Sequence, residues 1–439
     1  MSMSTIVVLI ILSIFIFMLM GVPIYAGLGA AGVIGLLLMQ TRTTAVASTT
    51  LIAIPQNFYS GIGYFPLLAI PFYVLAGEIM NKAGITDRLI DLAMMIVGRV
   101  PGGLAYANVL DSMFFGGITG SAQADTSCLG SIMIPAMIKE GYTPRFSVAI
   151  TAATSTLGPI IPPSIMMVLY GVTVGCSISA LFMGGFIPGI LIGIAMIILV
   201  NLLNRKEHFP IRDVKLTARD RLLIIKEALY PLGVPVIICG GIISGVITAT
   251  EAGVVAVVYS LIIGVVVLRT VKLKDLIGMT LNTATMSAAI LMIIACAKVA
   301  SNALTGLQMA AIVENLFRQF SDSPAVFLLL VNILLLIMGM FMDGGASILL
   351  LTPVLAPIAE VFGINMVHFG LVMVLNLVIG LGTPPLGQCV YIACGIARIP
   401  VMEGFKGMLP FVLCEIIVLL IITYIPATVT FIPTMLGLM

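Results

Sequence analysis

The run Gly116-Gly117-Ile118-Thr119-Gly120-Ser121-Ala122-Gln123-Ala124-Asp125-Thr126-Ser127 places glycines, hydroxyls and a carboxylate inside otherwise apolar sequence. Apolar arms, 104–115 and 128–138, flank it, and the nearest basic residues are Arg99 upstream and Lys139 downstream. As a helix, an arm of about a dozen residues rises about 18 Å, against a hydrocarbon core of about 30 Å. The pattern therefore predicts a re-entrant hairpin, two half-length helices around a polar tip midway between two charged edges. Non-helical backbone survives at membrane depth only when protein buries it or a wet cavity receives it. Polar side chains there are costly enough to imply a substrate or ion site. The plainer reading, a loop outside the membrane between two ordinary helices, fits this charge spacing less well.

Composition agrees with a chain built for lipid. Of 439 residues, 61% are hydrophobic and 9% charged, which excludes an ordinary soluble domain and predicts an all-α polytopic membrane protein. A net charge of +2 with no basic stripe offers nothing to nucleic acid. The seven cysteines show no Cys-x-x-Cys or Cys/His spacing, and the histidines are only His208 and His368. These read as small buried residues, not as disulfides or ligands of a metal other than sodium. No His/Cys/Asp constellation suggests an enzyme. The stretch 1–20 is apolar and lacks a basic n-region, so it reads as a first membrane helix and not as a cleaved leader.

Further breaks follow in order. Segments 5–20 and 23–39 are apolar, 41–60 is more polar and reads as a surface or linking helix, 65–80 is apolar, and 87–99 is an amphipathic interfacial arm. Beyond the hairpin, 147–156 and 164–174 flank Leu157-Gly158-Pro159-Ile160-Ile161-Pro162-Pro163. Prolines this dense cannot continue a helix, since each removes a donor and clashes with the preceding turn. The segment is expected to be a discontinuous membrane helix. The span 178–203 leads to the one hydrophilic linker, 204–221, where Arg205, Lys206, Arg212, Lys215, Arg219 and Arg221 outweigh Glu207, Asp213 and Asp220. The positive-inside rule puts this linker in the cytoplasm.

The second half repeats the first. Shifting the numbering by 222 brings Gly117 onto Gly339, Pro135 onto Pro357, Gly158 onto Gly380 and Pro162-Pro163 onto Pro384-Pro385, while Ser121 falls on Asp343. The expected organisation is a first repeat, 1–203, with scaffold helices (1–64), arm (87–99), hairpin (104–138), broken helix (145–175) and span (178–203). After the linker, the second repeat, 222–439, has scaffold helices (222–297), arm (302–320), hairpin (325–361), broken helix (366–398) and a last span (405–428). Lys82, Arg88, Arg99, Lys139 and Arg145 surround the first hairpin, whereas Glu314, Arg318, Asp322 and Glu360 surround the second. That asymmetry makes the first base cytoplasmic, the second external and the repeat inverted, with both chain ends outside.

Unwound carbonyls, half-helix C-terminal ends and Ser/Thr/Asp oxygens suit a hard monovalent cation, and half-helix N-termini suit an anionic substrate. One sodium site is assigned to Thr119, Gly120, Ser121 and Gln123 with Thr156 and Gly158. A second is assigned to Gly339 and Asp343 with Gly380 and Thr383. Asp125, Thr126, Pro162, Pro163, Ser164, Gly344, Gly345, Pro384 and Pro385 are assigned to the substrate. Competing readings are a hydroxyl of Thr156 bonded to its own turn, and N-caps in place of site roles for Asp125 and Asp343. Asp111, Glu251 and Lys298 read as intramembrane structural partners at an interface.

The Gly116–Ser121 tip with Ile134-Pro135, the run Gly158 to Ser164 and Gly339-Met340-Phe341-Met342-Asp343 with Pro353 resemble the large, DctM-like (M) subunit of TRAP transporters over essentially the whole chain. A weaker likeness to divalent-anion sodium symporters lacks that family's Ser-Asn-Thr tripeptide. The TRAP resemblance implies an elevator mechanism, sodium as coupling ion and an inner-membrane location. It also implies a small four-helix (Q-type) membrane subunit, expected here as a separate chain, and a periplasmic (P-type) binding protein delivering an organic acid such as sialic acid or a C4-dicarboxylate. The alternative is a stand-alone sodium–dicarboxylate symporter. No residue selects the acid.

Overall fold

A computed structural model describes residues 3–40, 47–211, 217–307, 309, 311 and 323–439. The described structure is helical, without strands. Seven helices are long and apolar enough to cross a membrane, or eight if the pair Ile52–Ile62 and Phe65–Lys82, bent by 53°, counts as one span. Most of the expected arm at 302–320, with Glu314, Arg318 and Asp322, lies outside the described residues, as do Arg212, Asp213 and Lys215 of the linker.

In chain order, α1 (Met3–Leu19), α2 (Ile24–Gln40), α3 (Ala47–Ile62) and α4 (Ala69–Lys82) precede α5 (Ile85–Val97). The first hairpin is α6 (Gly103–Thr119) with α7 (Ala122–Lys139). The first broken helix is α8 (Pro144–Thr154) with α9 (Ile165–Val174), and α10 (Ile178–Glu207) closes the half. The second half has α11 (Ala218–Ile243), α12 (Ala249–Leu261) and α13 (Leu273–Gly306). A hairpin of α14 (Pro324–Phe341) and α15 (Gly344–Val361) follows, then a broken helix of α16 (Met366–Gly380) and α17 (Gln388–Ala397), then α18 (Val401–Tyr424) and α19 (Ala427–Met435). Both Pro-Pro bonds, Pro162-Pro163 and Pro384-Pro385, are cis. A capping box starts α11, where the hydroxyl and backbone of Thr217 hold the Asp220 carboxyl below the usual carboxylate range.

Two readings change. The polar run 116–127 is mostly helix, because α6 continues to Thr119 and α7 begins at Ala122, leaving Gly120 and Ser121 as the whole break. Gly120, at φ +61, takes the left-handed turn that a Cβ disfavours, and Ser121 caps α7 by accepting from the Ala124 amide. Arms of this length rise about 26 Å, so they are not half-length, and both arms of the second hairpin are among the helices long enough to cross. The described part of segment 41–60 is a helix with one face exposed and one face packed. It packs as α3 on α13, where Gly61 lets the backbones close: a Cβ there would come within 3.1 Å of Ala295 Cα.

The helices form two groups. α1–α4 and α11–α13 pack on one another, and the hairpins, broken helices, α10, α18 and α19 do likewise. α13, about 51 Å long, is a ruler between them. Its N-terminal end carries Asp275, 3.7 Å from Lys82 at the end of α4. Arg88 of α5 faces Glu227 near the start of α11 at 3.6 Å, and Ile224 of α11 shares a crevice with Arg99 and Ala136 of the first hairpin's base. The C-terminal end of α13 shares a cavity with Pro357 and Glu360 of the second hairpin's base. The bases thus approach opposite ends of α13, while the tips meet beside its middle.

Candidate functional site

The first tip is held by bare backbone. Gly116 of α6 faces Gly158 so closely that a Cβ would sit 2.9 Å from the Gly158 Cα. Gly120 faces the Pro163 carbonyl, where a Cβ would sit 2.6 Å from the oxygen. The second tip copies this arrangement: a Cβ on Gly339 would lie 3.1 Å from the Gly380 Cα, and the Leu386 amide donates to the Met340 carbonyl at 3.3 Å. Each hairpin is also pinned to the helix before its break by asparagine. Asn108 donates to Thr151 Oγ1 at 2.7 Å and accepts from Thr154 at 3.0 Å. Asn376, which a shift of 222 places on Thr154, donates to Asn332 at 2.8 Å.

The tips touch each other. The Gln123 amide donates to Asp343 Oδ1 at 3.0 Å and to Gln388 Oε1 at 2.8 Å, which uses both of its N–H bonds. Its own oxygen accepts from Ser121 Oγ at 3.2 Å. The other oxygen of Asp343 caps α15, accepting from the Gly345 and Ala346 amides at 3.0 and 3.4 Å. The cap reading of Asp343 therefore holds, and the same carboxylate also bridges the halves. Gln388, at the start of α17, was not singled out by the sequence; its only signal is its place just after a Pro-Pro break. A cavity of about 480 Å³ opens at this junction, lined by Gly120, Ser121, Gln123, Asp343 and Gly345, with Met286 and Ile290 of α13 opposite.

The remaining assigned residues divide. Thr383 turns back on the Gly380 carbonyl at 2.9 Å. Ser164 caps α9 through the Met167 amide, Thr126 bonds its own turn at Ala122, and Gly344 packs on Met166 of α9. Pro162 and Pro163 are buried, whereas Pro384 and Pro385 are exposed. Thr156 lies 2.6 Å from both the Ala153 carbonyl and Glu415 Oε1, so its hydroxyl is engaged by its own turn and by α18. Asp125 is not a cap. It is fully buried, and the hydroxyls of Ser112 and Ser155 lie beside its carboxyl as its nearest polar partners, without well-formed hydrogen bonds to it. Asp111, one helix over, is equally buried and unpartnered, and Thr119 Oγ1 is orphaned as well. Ionised carboxylates so placed would be costly without a compensating charge, and burial favours their neutral form. Glu251 instead closes a capping box with Thr248, and Lys298 lines a separate cavity.

Residues 11–428 match the family model described as the tripartite ATP-independent periplasmic transporter, DctM component. The chain belongs to this family. Among curated relatives of the DctM component, the sialic acid TRAP transporter large permease protein SiaM of Vibrio cholerae is 38% identical over 86% of this chain and 88% of its own. The C4-dicarboxylate large permease protein DctM of Pseudomonas aeruginosa is 38% identical over 85% and 88%. The isethionate permease protein DctMQ of Oleidesulfovibrio alaskensis is 38% identical over 94% of this chain, which spans 64% of that longer protein. In fold, the DctM component is similar to the crystal structure of the YdaH transporter of Alcanivorax borkumensis, with a TM-score of 0.61 and 16% identity over 87% and 89% of the two chains. It is thus a multi-pass membrane transport component and not an enzyme, and by the family's description one part of a tripartite system.

Proposed function

We propose that this chain carries an organic acid across the inner membrane together with sodium, as the large membrane subunit of a TRAP transporter. The observation that carries the reading is the tip junction. Two hairpins from opposite ends of α13 bring Gln123 and Asp343 into contact beside a cavity large enough for a small acid. In the first half, sodium takes the Thr119–Ser121 tip with Gly158, next to the buried carboxyls of Asp125 and Asp111. In the second, it takes Asp343 with the carbonyls around Gly339, Gly380 and Thr383. The N-terminal ends of α9 and α15, beside Ser164, Gly344 and Gly345, receive the acid. The group holding both hairpins moves as an elevator against α1–α4 and α11–α13. The two halves are an inverted pair, the linker is cytoplasmic and both termini are periplasmic. A small Q-type subunit, as a separate chain, widens the stationary group, and a periplasmic binding protein loads the outward site.

Reconstitution tests the assignment. This chain with both partners is expected to accumulate a carboxylate, sialic acid or a C4-dicarboxylate, only under an inward sodium gradient, and this chain alone is expected to show at least a tenfold lower rate. Equal uptake by the chain alone would reject the tripartite reading in favour of a symporter. Topology is tested by cysteine labelling in a background free of native thiols. Pro210→Cys and Leu438→Cys are expected to react from opposite sides of the membrane, and reaction from one side would end the inverted repeat.

A further inference from the structure

A second cavity, of about 500 Å³, lies between α13 and the second hairpin. It is separate in lining from the tip cavity except at Leu349 of α15, which borders both. Its wall on the stationary group comes from Ser60 and Tyr64 near the end of α3 and from Lys298, Ser301 and Thr305 of α13. Its other wall includes Thr173 of α9 and Glu360 of α15. Lys298 is the one cation of α13 beyond Lys274. Among the described residues it makes no ion pair, although Glu360 lines the same cavity. Its stem is fixed from behind, since a Cβ on Gly61 would come within 3.1 Å of the Lys298 Cβ.

An ammonium lining a cavity that also carries hydroxyls, without an ion pair among the described residues and one leucine away from the tips, attracts anions and offers three N–H donors. We propose that this cavity is an entry site for the transported organic anion, and that Lys298 is its capture residue, binding an acidic group of the solute before it reaches the tips. The hydroxyls of Ser60, Ser301 and Thr305 suit a solute that also bears hydroxyls, and Leu349 is the partition it passes. Glu360, on the moving wall, opposes the capture and sets how readily the anion leaves. This inference rests on the organic-acid reading above, but half of its test does not.

That half is local and needs no transport. With native thiols replaced, Ser301→Cys reports the cavity's charge through its reaction with thiosulfonate reagents in the complete complex. The anionic ethylsulfonate reagent is expected to react several-fold faster, relative to a neutral reagent, than the same ratio measured on free cysteine. Lys298→Met should erase that preference and Glu360→Gln should enlarge it. A ratio unmoved by Lys298→Met would overturn the proposal. In uptake by the complex, Lys298→Met is expected to raise KM about tenfold or more with little change in kcat, and Lys298→Arg to restore most of it. A loss of kcat at unchanged KM, not rescued by arginine, would make Lys298 structural and sink the capture role. Anion preference at residue 301 without any organic-acid uptake by the wild type would keep the charged cavity and reject the proposed function instead.

Discussion

Asp343→Asn is expected to abolish sodium-driven uptake while the protein stays folded. The asparagine oxygen can still accept from the Gly345 and Ala346 amides, and asparagine caps a helix about as well as aspartate. Gln123 can turn its amide to meet the new N–H group, so the link between the tips survives. What disappears is the only carboxylate lining the tip cavity among the described residues, and with it the charge proposed to hold the cation. Asp343→Ala removes the cap as well, at about 1 kcal/mol, so asparagine separates charge from fold. Ser121→Ala should weaken sodium dependence less, because the carbonyls of the first tip remain. The measurement is initial uptake against sodium concentration, with thermal stability of the purified complex as control. Wild-type sodium dependence in Asp343→Asn would discard the second site.

Gly380→Ala should be as damaging for a different reason. A Cβ there would overlap the Gly339 carbonyl carbon and lie 2.5 Å from the Gly339 Cα. The obstacle is backbone, so no rotamer change relieves it, and α14 must be pushed off the broken helix. Overpacking of this kind costs 1–3 kcal/mol or more, and here it also displaces the Met340 carbonyl that receives the Leu386 amide. Expected results are a thermal midpoint several degrees lower and uptake near background. Gly395→Ala, on the neighbouring α17 with open space at its Cβ, should behave as wild type. Full activity in Gly380→Ala would show that the close crossing is dispensable.

The breaks were legible in the sequence because glycine and proline act on their own backbone: dense prolines end a helix wherever they stand. Break extent was not legible, since Gly116 serves a helix that needs close approach to Gly158, and that need arises from a residue some forty positions away. The candidate site was half legible. Ser121, Gln123 and Asp343 each sit in a recognisable break, but Gln388 joins Gln123 across 265 residues and Glu415 reaches Thr156 across 259. Local pattern carries no record of such pairings. Asp111 looked like an interface residue because its isolation inside α6 and α7 is a property of packing, not of its neighbours in sequence.

The glycine crossings also decide where relative motion is possible. At Gly116–Gly158 and Gly339–Gly380, main chain lies on main chain with no side chain between, and Phe115, Leu157, Met340 and Leu381 beside these glycines are too large to take their place. A shift that brought Phe115 or Met340 to the crossing would drive a side chain into the facing main chain, so these joints resist sliding. Against α13 the same assembly meets Met286, Ile290 and Ile293 across a void, where rotamers can exchange as surfaces pass. In the proposed elevator motion the glycine joints would keep their registry while the α13 face yields, so the four broken segments would travel as one mechanical part.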